Sequence, residues 1–273
     1  MLKIKSFGDV TRIDSARTLA GRGYYWTTAY LVDGLLVDTG CAHTARELAA
    51  ALRDSGLNTI VNTHSHEDHI GANGVLQASR KGIEIRAHAL ALPVLAHPRE
   101  SQPLQAYRRL VWGWPEPSLG APLRNGEVVE TPRYRFQAID TPGHSPDHLC
   151  LYEPERGWLF TGDLFVGGRD AALRVGSDIW GIITSLKRVA GLPLTRMFPG
   201  SAQVRDHPHQ ELMDKIEYLE GTGQRILELH QGGMSATAIA RALFGGPRFI
   251  EYLTAGHFSR RGLVDSYLQR HES

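Results

Sequence analysis

The chain has 273 residues, 42% hydrophobic and 22% charged, which is enough apolar sequence for a large buried core and excludes a disordered or fibrous protein. A formal net charge of +1 gives no overall attraction to nucleic acid or anionic lipid, so the expected partner is a small-molecule substrate. Nucleic acid and membrane are not expected, and a homodimer is left open.

Short alternating and apolar runs over residues 4–40 predict strands, the last a hairpin from Tyr30 to Val37 that closes on Asp38-Thr39-Gly40. Residues 44–55 are alanine-rich and predict a helix, Ile60 to Thr63 a buried strand, 74–81 a second helix and 83–87 another strand. Between His88 and Arg124 the pattern breaks into proline-punctuated, aromatic-rich sequence. A loop of that length predicts a lid or pocket wall. Trp112 and Trp114 would cover an apolar substrate, with Tyr24-Tyr25-Trp26 as a second wall, unless they pack the lid onto the body or bury a dimer contact. Strands follow between Val128 and Phe160, then a helix over 177–190 and a strand over 195–198. From Glu211 the chain is helical, over 211–220, 223–230, 236–244 behind a Ser235 cap, and 259–269 behind Thr254 or Ser259. Residues 222–273 carry six arginines against four acidic residues, not the clustered basic face that phosphate binding requires, so an accessory region closing the active site is expected there.

The segment Thr63-His64-Ser65-His66-Glu67-Asp68-His69 places three imidazoles and a carboxylate at one strand end. Imidazole nitrogens and carboxylate oxygens are ligands of zinc and similar first-row ions, and a turn lets several converge where a regular helix or strand could not. Two further candidates end apolar strands: His144, after the Pro142-Gly143 turn, and Asp163, after Trp158-Leu159-Phe160. An unpaired carboxylate at such a strand end would be costly, and a cation is the cheaper explanation. Cys41 and Cys150 lie in apolar settings and read as small buried residues rather than a disulfide or nucleophiles. Residues 1–9 hold no apolar stretch of the kind a signal peptide needs, so the expected address is cytoplasmic.

The spacing His64-x-His66-x-Asp68-His69 resembles the signature of the metallo-β-lactamase superfamily. Asp38-Thr39-Gly40, Thr141-Pro142-Gly143-His144 and Leu159-Phe160-Thr161-Gly162-Asp163 resemble its other motifs, in the same order. The resemblance implies an α/β fold, an αββα sandwich over residues 1–210, with an added C-terminal helical region over 211–273. It implies that His64, His66 and His144 hold a first metal, and Asp68, His69 and Asp163 a second, with Asp163 bridging. Zinc is the expected ion, one or two per chain, with iron or manganese as alternatives. One position departs from the pattern: the turn Pro199-Gly200 is followed by Ser201 where the family supplies an imidazole. The second site would then be weaker, or completed by water or by His207, His209 or His257.

The expected function is a metal-dependent hydrolase directing a metal-activated water at a small ester, thioester or lactone, with Asp68 as the catalytic residue that orients the nucleophile and takes its proton. A ribonuclease-like hydrolase and a non-enzymatic metal-binding or regulatory protein are the alternatives.

Overall fold

The computed structural model describes residues 1–201 and 203–269. Its first half comprises β1 (Leu2–Phe7), β2 (Val10–Leu19), β3 (Arg22–Val32), β4 (Leu35–Val37), α1 (Ala45–Ala51), β5 (Thr59–Val61), α2 (Asn73–Ser79) and β6 (Glu84–Ala87). Three short helices, α3 (Leu92–Ala96), α4 (Pro98–Ser101) and α5 (Ala106–Val111), then lead to β7 (Ala121–Pro122). These strands form one sheet in sequence order, antiparallel from β1 to β4 and parallel from β4 to β7. The second half supplies β8 (Val128–Glu130), β9 (Arg135–Asp140), β10 (Leu149–Glu153), β11 (Trp158–Gly162), β12 (Leu173–Arg174), α6 (Ile179–Ala190) and β13 (Arg196–Pro199). Its sheet runs β13-β11-β10-β9-β8. The chain finishes with α7 (Pro208–Gln231), α8 (Ala236–Phe244), α9 (Phe249–Leu253), β14 (Phe258–Ser259) and α10 (Arg260–Leu268), and β14 pairs with β12.

Alternation along the strands sorts the core into three layers, as the two-residue period of a strand requires. Leu36 and Ile60 face outward, onto Leu48, Leu52 and Leu76 of α1, α2 and the connection between them. Their neighbours Leu35, Val37 and Val61 face inward, meeting Phe136, Leu151, Phe160 and Phe198 of the second sheet. Cys150, Leu159 and Met197 face out again, onto Ile183 and Leu186 of α6, Leu212 and Leu219 of α7 and Leu263 of α10. Three apolar layers between four layers of secondary structure make the αββα sandwich, and the C-terminal helices enlarge one outer layer. Among the described residues no helix is long and apolar enough to cross a membrane.

Three local expectations differ from the structure. β5 ends at Val61, so Asn62 to His69 form an irregular turn rather than continuing the strand. The region 88–124 is not an open loop: Pro93 and Pro98 occupy the first turns of α3 and α4, where a missing N–H is harmless. The two helices expected over 211–220 and 223–230 are a single helix, α7, running through Gly221 and Gly223. Gly223 is there for close approach: a Cβ on it would lie 2.7 Å from the Tyr267 ring, which is buried beside it.

The two glycines of α7 therefore predict opposite outcomes for the same substitution. Gly221 faces open space, so Gly221→Ala should stabilise by about 0.5–1 kcal/mol through helix propensity. Gly223→Ala should destabilise by roughly 1–3 kcal/mol by overpacking against Tyr267. Urea unfolding of both variants checks the difference in sign.

Candidate metal centre

The turn after β5 brings His64, His66, Glu67, Asp68 and His69 to the end of the sandwich where the β9–β10 and β11–α6 connections also open, carrying His144 and Asp163. Its buried centre is polar: His64 and His69 are both 0% exposed and His66 is 8% exposed. His66 Nδ1 lies 2.9 Å from His64 Nε2 and 2.9 Å from His144 Nε2. One ring nitrogen faces two others, and a single proton cannot satisfy both contacts. On the other side His69 Nε2 lies 3.5 Å from Asp163 Oδ1 and 3.8 Å from Asp68 Oδ2, while Asp163 Oδ2 is 3.7 Å from His144 Nε2. His69 Nε2 and Asp163 Oδ1 are buried with no hydrogen-bond partner among the described residues.

Such spacings suit a cation. Donors about 2.1 Å from a tetrahedral ion lie about 3.4 Å from one another. Two groups bring their donor atoms within 4.8 Å of each other, His64-His66-His144 and His64-His69-Asp163. Asp68 borders the second group through its 3.8 Å approach to His69.

Asp38 sets the tautomers. Its Oδ1 accepts from the Thr63 N–H at 2.8 Å, and its Oδ2 accepts from Thr63 Oγ1 at 2.8 Å and His69 Nδ1 at 2.7 Å. The carboxylate can only accept, so His69 keeps a proton on Nδ1 and turns Nε2 to the site, where it meets either a second proton or a metal ion. Thr63 Oγ1, having donated to Asp38, accepts from His64 Nδ1 at 3.0 Å and leaves His64 Nε2 bare. His148 contributes from behind: its Nε2 accepts the Asp163 backbone N–H at 3.2 Å, and its Nδ1 meets Thr141 Oγ1 at 2.8 Å. Asp147 accepts the Ser65 N–H at 2.9 Å and pins the turn between the first two histidines. Asp38 lies within a sequence motif and His148 just after one, yet nothing in their spacing gives them these orienting roles; Asp38 needs a left-handed backbone, φ 59°, that only the folded turn reveals.

Burial, reinforced for His64 by the neighbouring imidazoles and for His66 by Arg174 and His144, holds both well below the usual imidazole range. His144 falls to about 3 and His148 to about 4, chiefly by burial. All four are neutral, as ligation requires. For His69 burial works in the same direction, but Asp163, Asp38 and Asp68 outweigh it and raise the ring's pKa. Asp68 is itself raised by burial, to about 7. Burial would also raise Asp163, but the surrounding imidazoles, His69 first, hold it low. Three carboxylates around one imidazole require a positive charge, supplied by a proton or by a metal ion.

Ser201 is exposed. Its turn nevertheless borders the site, because a Cβ on Gly200 would come within 2.8 Å of the His69 ring and 3.0 Å of Asp163 Oδ1. His207 and His209 are exposed at the start of α7. His257 sits above the cluster, where its Nδ1 is 2.6 Å from the Tyr107 hydroxyl; it joins neither group. Trp112 packs edge-on against Tyr25 and Tyr107, and the Arg99 guanidinium lies over Trp114. Neither tryptophan lines the cavity of about 200 Å³ beside His66 and His144.

One contact between lid and cluster lies outside the sequence expectations. Glu67, 1% exposed, forms a two-pronged ion pair with Arg108 of α5, 3% exposed, with Nε donating to Oε1 at 2.6 Å. Its sequence signal is faint: a glutamate inside the histidine motif and an arginine 41 residues away.

The family model described as the Metallo-beta-lactamase superfamily matches residues 27–201. Among curated relatives, the Lactamase-like protein nscB of Aspergillus fumigatus is 27% identical, over 80% of this chain and 66% of that protein. Thioesterase pkgB of Emericella nidulans is 28% identical, over 64% of this chain and 45% of that protein. The chain thus spans less than two thirds of the length of these relatives. Of solved structures, the metallo-beta-lactamase family protein TTHA1429 from Thermus thermophilus superposes with a TM-score of 0.67 at 22% identity, covering 95% of this chain and 91% of that one. TTHA1623, solved in a di-iron-bound form, has a TM-score of 0.55 at 31% identity, covering 69% of this chain and 94% of that one.

The Glu67–Arg108 pair predicts a non-additive pattern. Glu67→Leu or Arg108→Met alone strands a buried charge and should cost roughly 3–5 kcal/mol, whereas the double variant should lose much less. Denaturant unfolding of the three proteins reads the coupling, and additive losses would contradict it.

Proposed function

The chain belongs to the metallo-beta-lactamase superfamily, and on that premise we propose that it is a metal-dependent hydrolase of a small thioester, ester or lactone. The observation that carries this reading is the convergence of bare imidazole nitrogens and carboxylate oxygens, with His69 Nε2 and Asp163 Oδ1 buried and unpartnered. His64, His66 and His144 would hold one metal, and Asp68, His69 and Asp163 a second. The two oxygens of Asp163 approach His69 and His144 respectively, which supports a bridging role. Zinc suits the donor set, and iron and manganese accept the same ligands. The thioester preference draws on the relative named as a thioesterase.

A bound metal would supply Lewis-acid polarisation and lower the pKa of water. The remaining work falls to the chain. Asp38 and Thr63 keep His64 and His69 in the tautomers that point Nε2 inward. Asp68, whose Oδ2 approaches His69 Nε2 at 3.8 Å, would orient the attacking water and take its proton. His148 holds the Asp163 backbone and so steadies its carboxylate.

Replacing His64 or His66 with alanine should remove most bound metal and all hydrolysis while the sandwich still folds. Metal analysis, circular dichroism and assays on a thioester and lactone panel check this together, and full metal retention in both variants would overturn the reading. At the other site, with a hydroxyl at position 201, the second ion should bind at least about tenfold more weakly than the first. Ser201→His should narrow that gap in a competition titration with a chromophoric chelator. Two equally tight ions in the unaltered protein would contradict the expectation.

A further inference from the structure

The turn that carries the histidines is pinned at two points. Asp147 accepts the Ser65 N–H at 2.9 Å, and Asp38 accepts from His69 Nδ1 at 2.7 Å. Between these pins stand His66 and Asp68, a candidate ligand of each metal, with Glu67 separating them. The backbone coils tightly here: the N–H groups of His69 and Ile70 both donate to the His66 carbonyl, at 2.9 and 3.2 Å. A rotation that displaces the Glu67 side chain therefore displaces both neighbours. The Glu67 carboxylate is held by the guanidinium fork of Arg108, and the two side chains are 1% and 3% exposed.

On the far side of this ion pair, α5 has little other buried support. Among the described residues none of its side chains joins the three apolar layers, and Leu110 is 56% exposed. At exposed positions the Leu110 carbonyl accepts from Arg17 and lies 3.1 Å from His43 Nε2, and Tyr107 meets His257 at a partly buried one. Glu67 supplies the fully buried contact. Segments with few buried apolar contacts open at low cost, so the position of α5 follows the position of Glu67. At the neighbouring residue, His66 Nδ1 lies 2.9 Å from ring nitrogens of both His64 and His144, and one proton cannot serve both contacts. An ion shared by the three rings satisfies them together and fixes the turn.

We propose that the Glu67–Arg108 pair couples metal occupancy to closure of α5. Glu67 is a positioning residue: an ion that orders His66 and Asp68 sets its carboxylate where the Arg108 fork closes on it, and a closed α5 in turn holds those ligands for the ion. Such coupling is reciprocal, because each event must favour the other by the same factor. Groups one contact beyond metal ligands commonly change affinity by about 10–100-fold.

The coupling rests on the metal-dependent reading, and its test needs no turnover. Hydrogen exchange is compared in the unaltered protein after metal removal and after loading with zinc. The reporters are the Arg109, Trp112 and Gly113 amides, which donate to carbonyls of residues 105, 108 and 109. Zinc should slow them about tenfold, with α8 as an unaffected control. Zinc affinity, read by competition with a chromophoric chelator, should fall about tenfold or more in Glu67→Gln and in the double variant Glu67→Leu/Arg108→Met. That double variant removes both charges together and so keeps most of the stability. A merely structural pair would leave its zinc affinity intact, whereas the coupling predicts weakened binding and α5 exchange that zinc no longer slows. Unchanged affinity in the double variant overturns the proposal. So does zinc binding to the unaltered protein with no change at α5, an outcome that leaves the metal-dependent reading standing. Failure of the unaltered protein to bind zinc, iron or manganese would remove that reading and the coupling together.

Discussion

The buried carboxylate of Asp38 is the contact on which the catalytic end depends. It accepts three hydrogen bonds, from the Thr63 N–H, the Thr63 hydroxyl and His69 Nδ1, all of them buried. It stitches the end of β4 to the turn after β5. It also decides which nitrogen of His69, and through Thr63 which nitrogen of His64, faces the cluster. A histidine in the other tautomer would present a proton where a lone pair is needed. The left-handed backbone at Asp38, φ 59°, is the strain accepted for that aim.

Around this contact the structure spends stability on position. Bare nitrogens, an unpartnered carboxylate oxygen and three carboxylates crowding His69 are unfavourable in an apolar sandwich. The sandwich tolerates them because its three apolar layers are independent of the site. The stacked pair Phe160 and Phe198, with ring centroids 4.8 Å apart, holds β11 and β13 in the register that sets Asp163 beside Gly200. Affinity for a cation would then offset the strain, which is the usual coupling of metal binding to folding.

The lid and the C-terminal region meet over the same end. Arg108 reaches from α5 into the histidine turn, and Tyr107 beside it reaches His257, so both additions are anchored to the cluster by polar contacts. A buried ion pair contributes little net stability compared with apolar packing, but it fixes geometry, because neither partner tolerates displacement. That holds α5 against the histidine turn, while α3 packs Leu92, Val94 and Leu95 into the outer layer of the first sheet. A single glutamate in the histidine motif orients the lid.

The candidate donor cluster was legible in the chain because it is local: four donors within six residues, and two more after apolar strands, need only the strand-and-turn pattern to be recognised. The four-layer order was implied by the family resemblance that these motifs carry. The continuity of α7 was not legible, because two glycines read as a break until Tyr267, 44 positions beyond Gly223, fills the space a side chain would need. Nor was the Glu67–Arg108 pair, since the sign and position of a charge are visible in sequence but its neighbours across the fold are not. Local periodicity determined the elements and the donors. Long-range packing decided tautomers, charge compensation and the shape of the cavity.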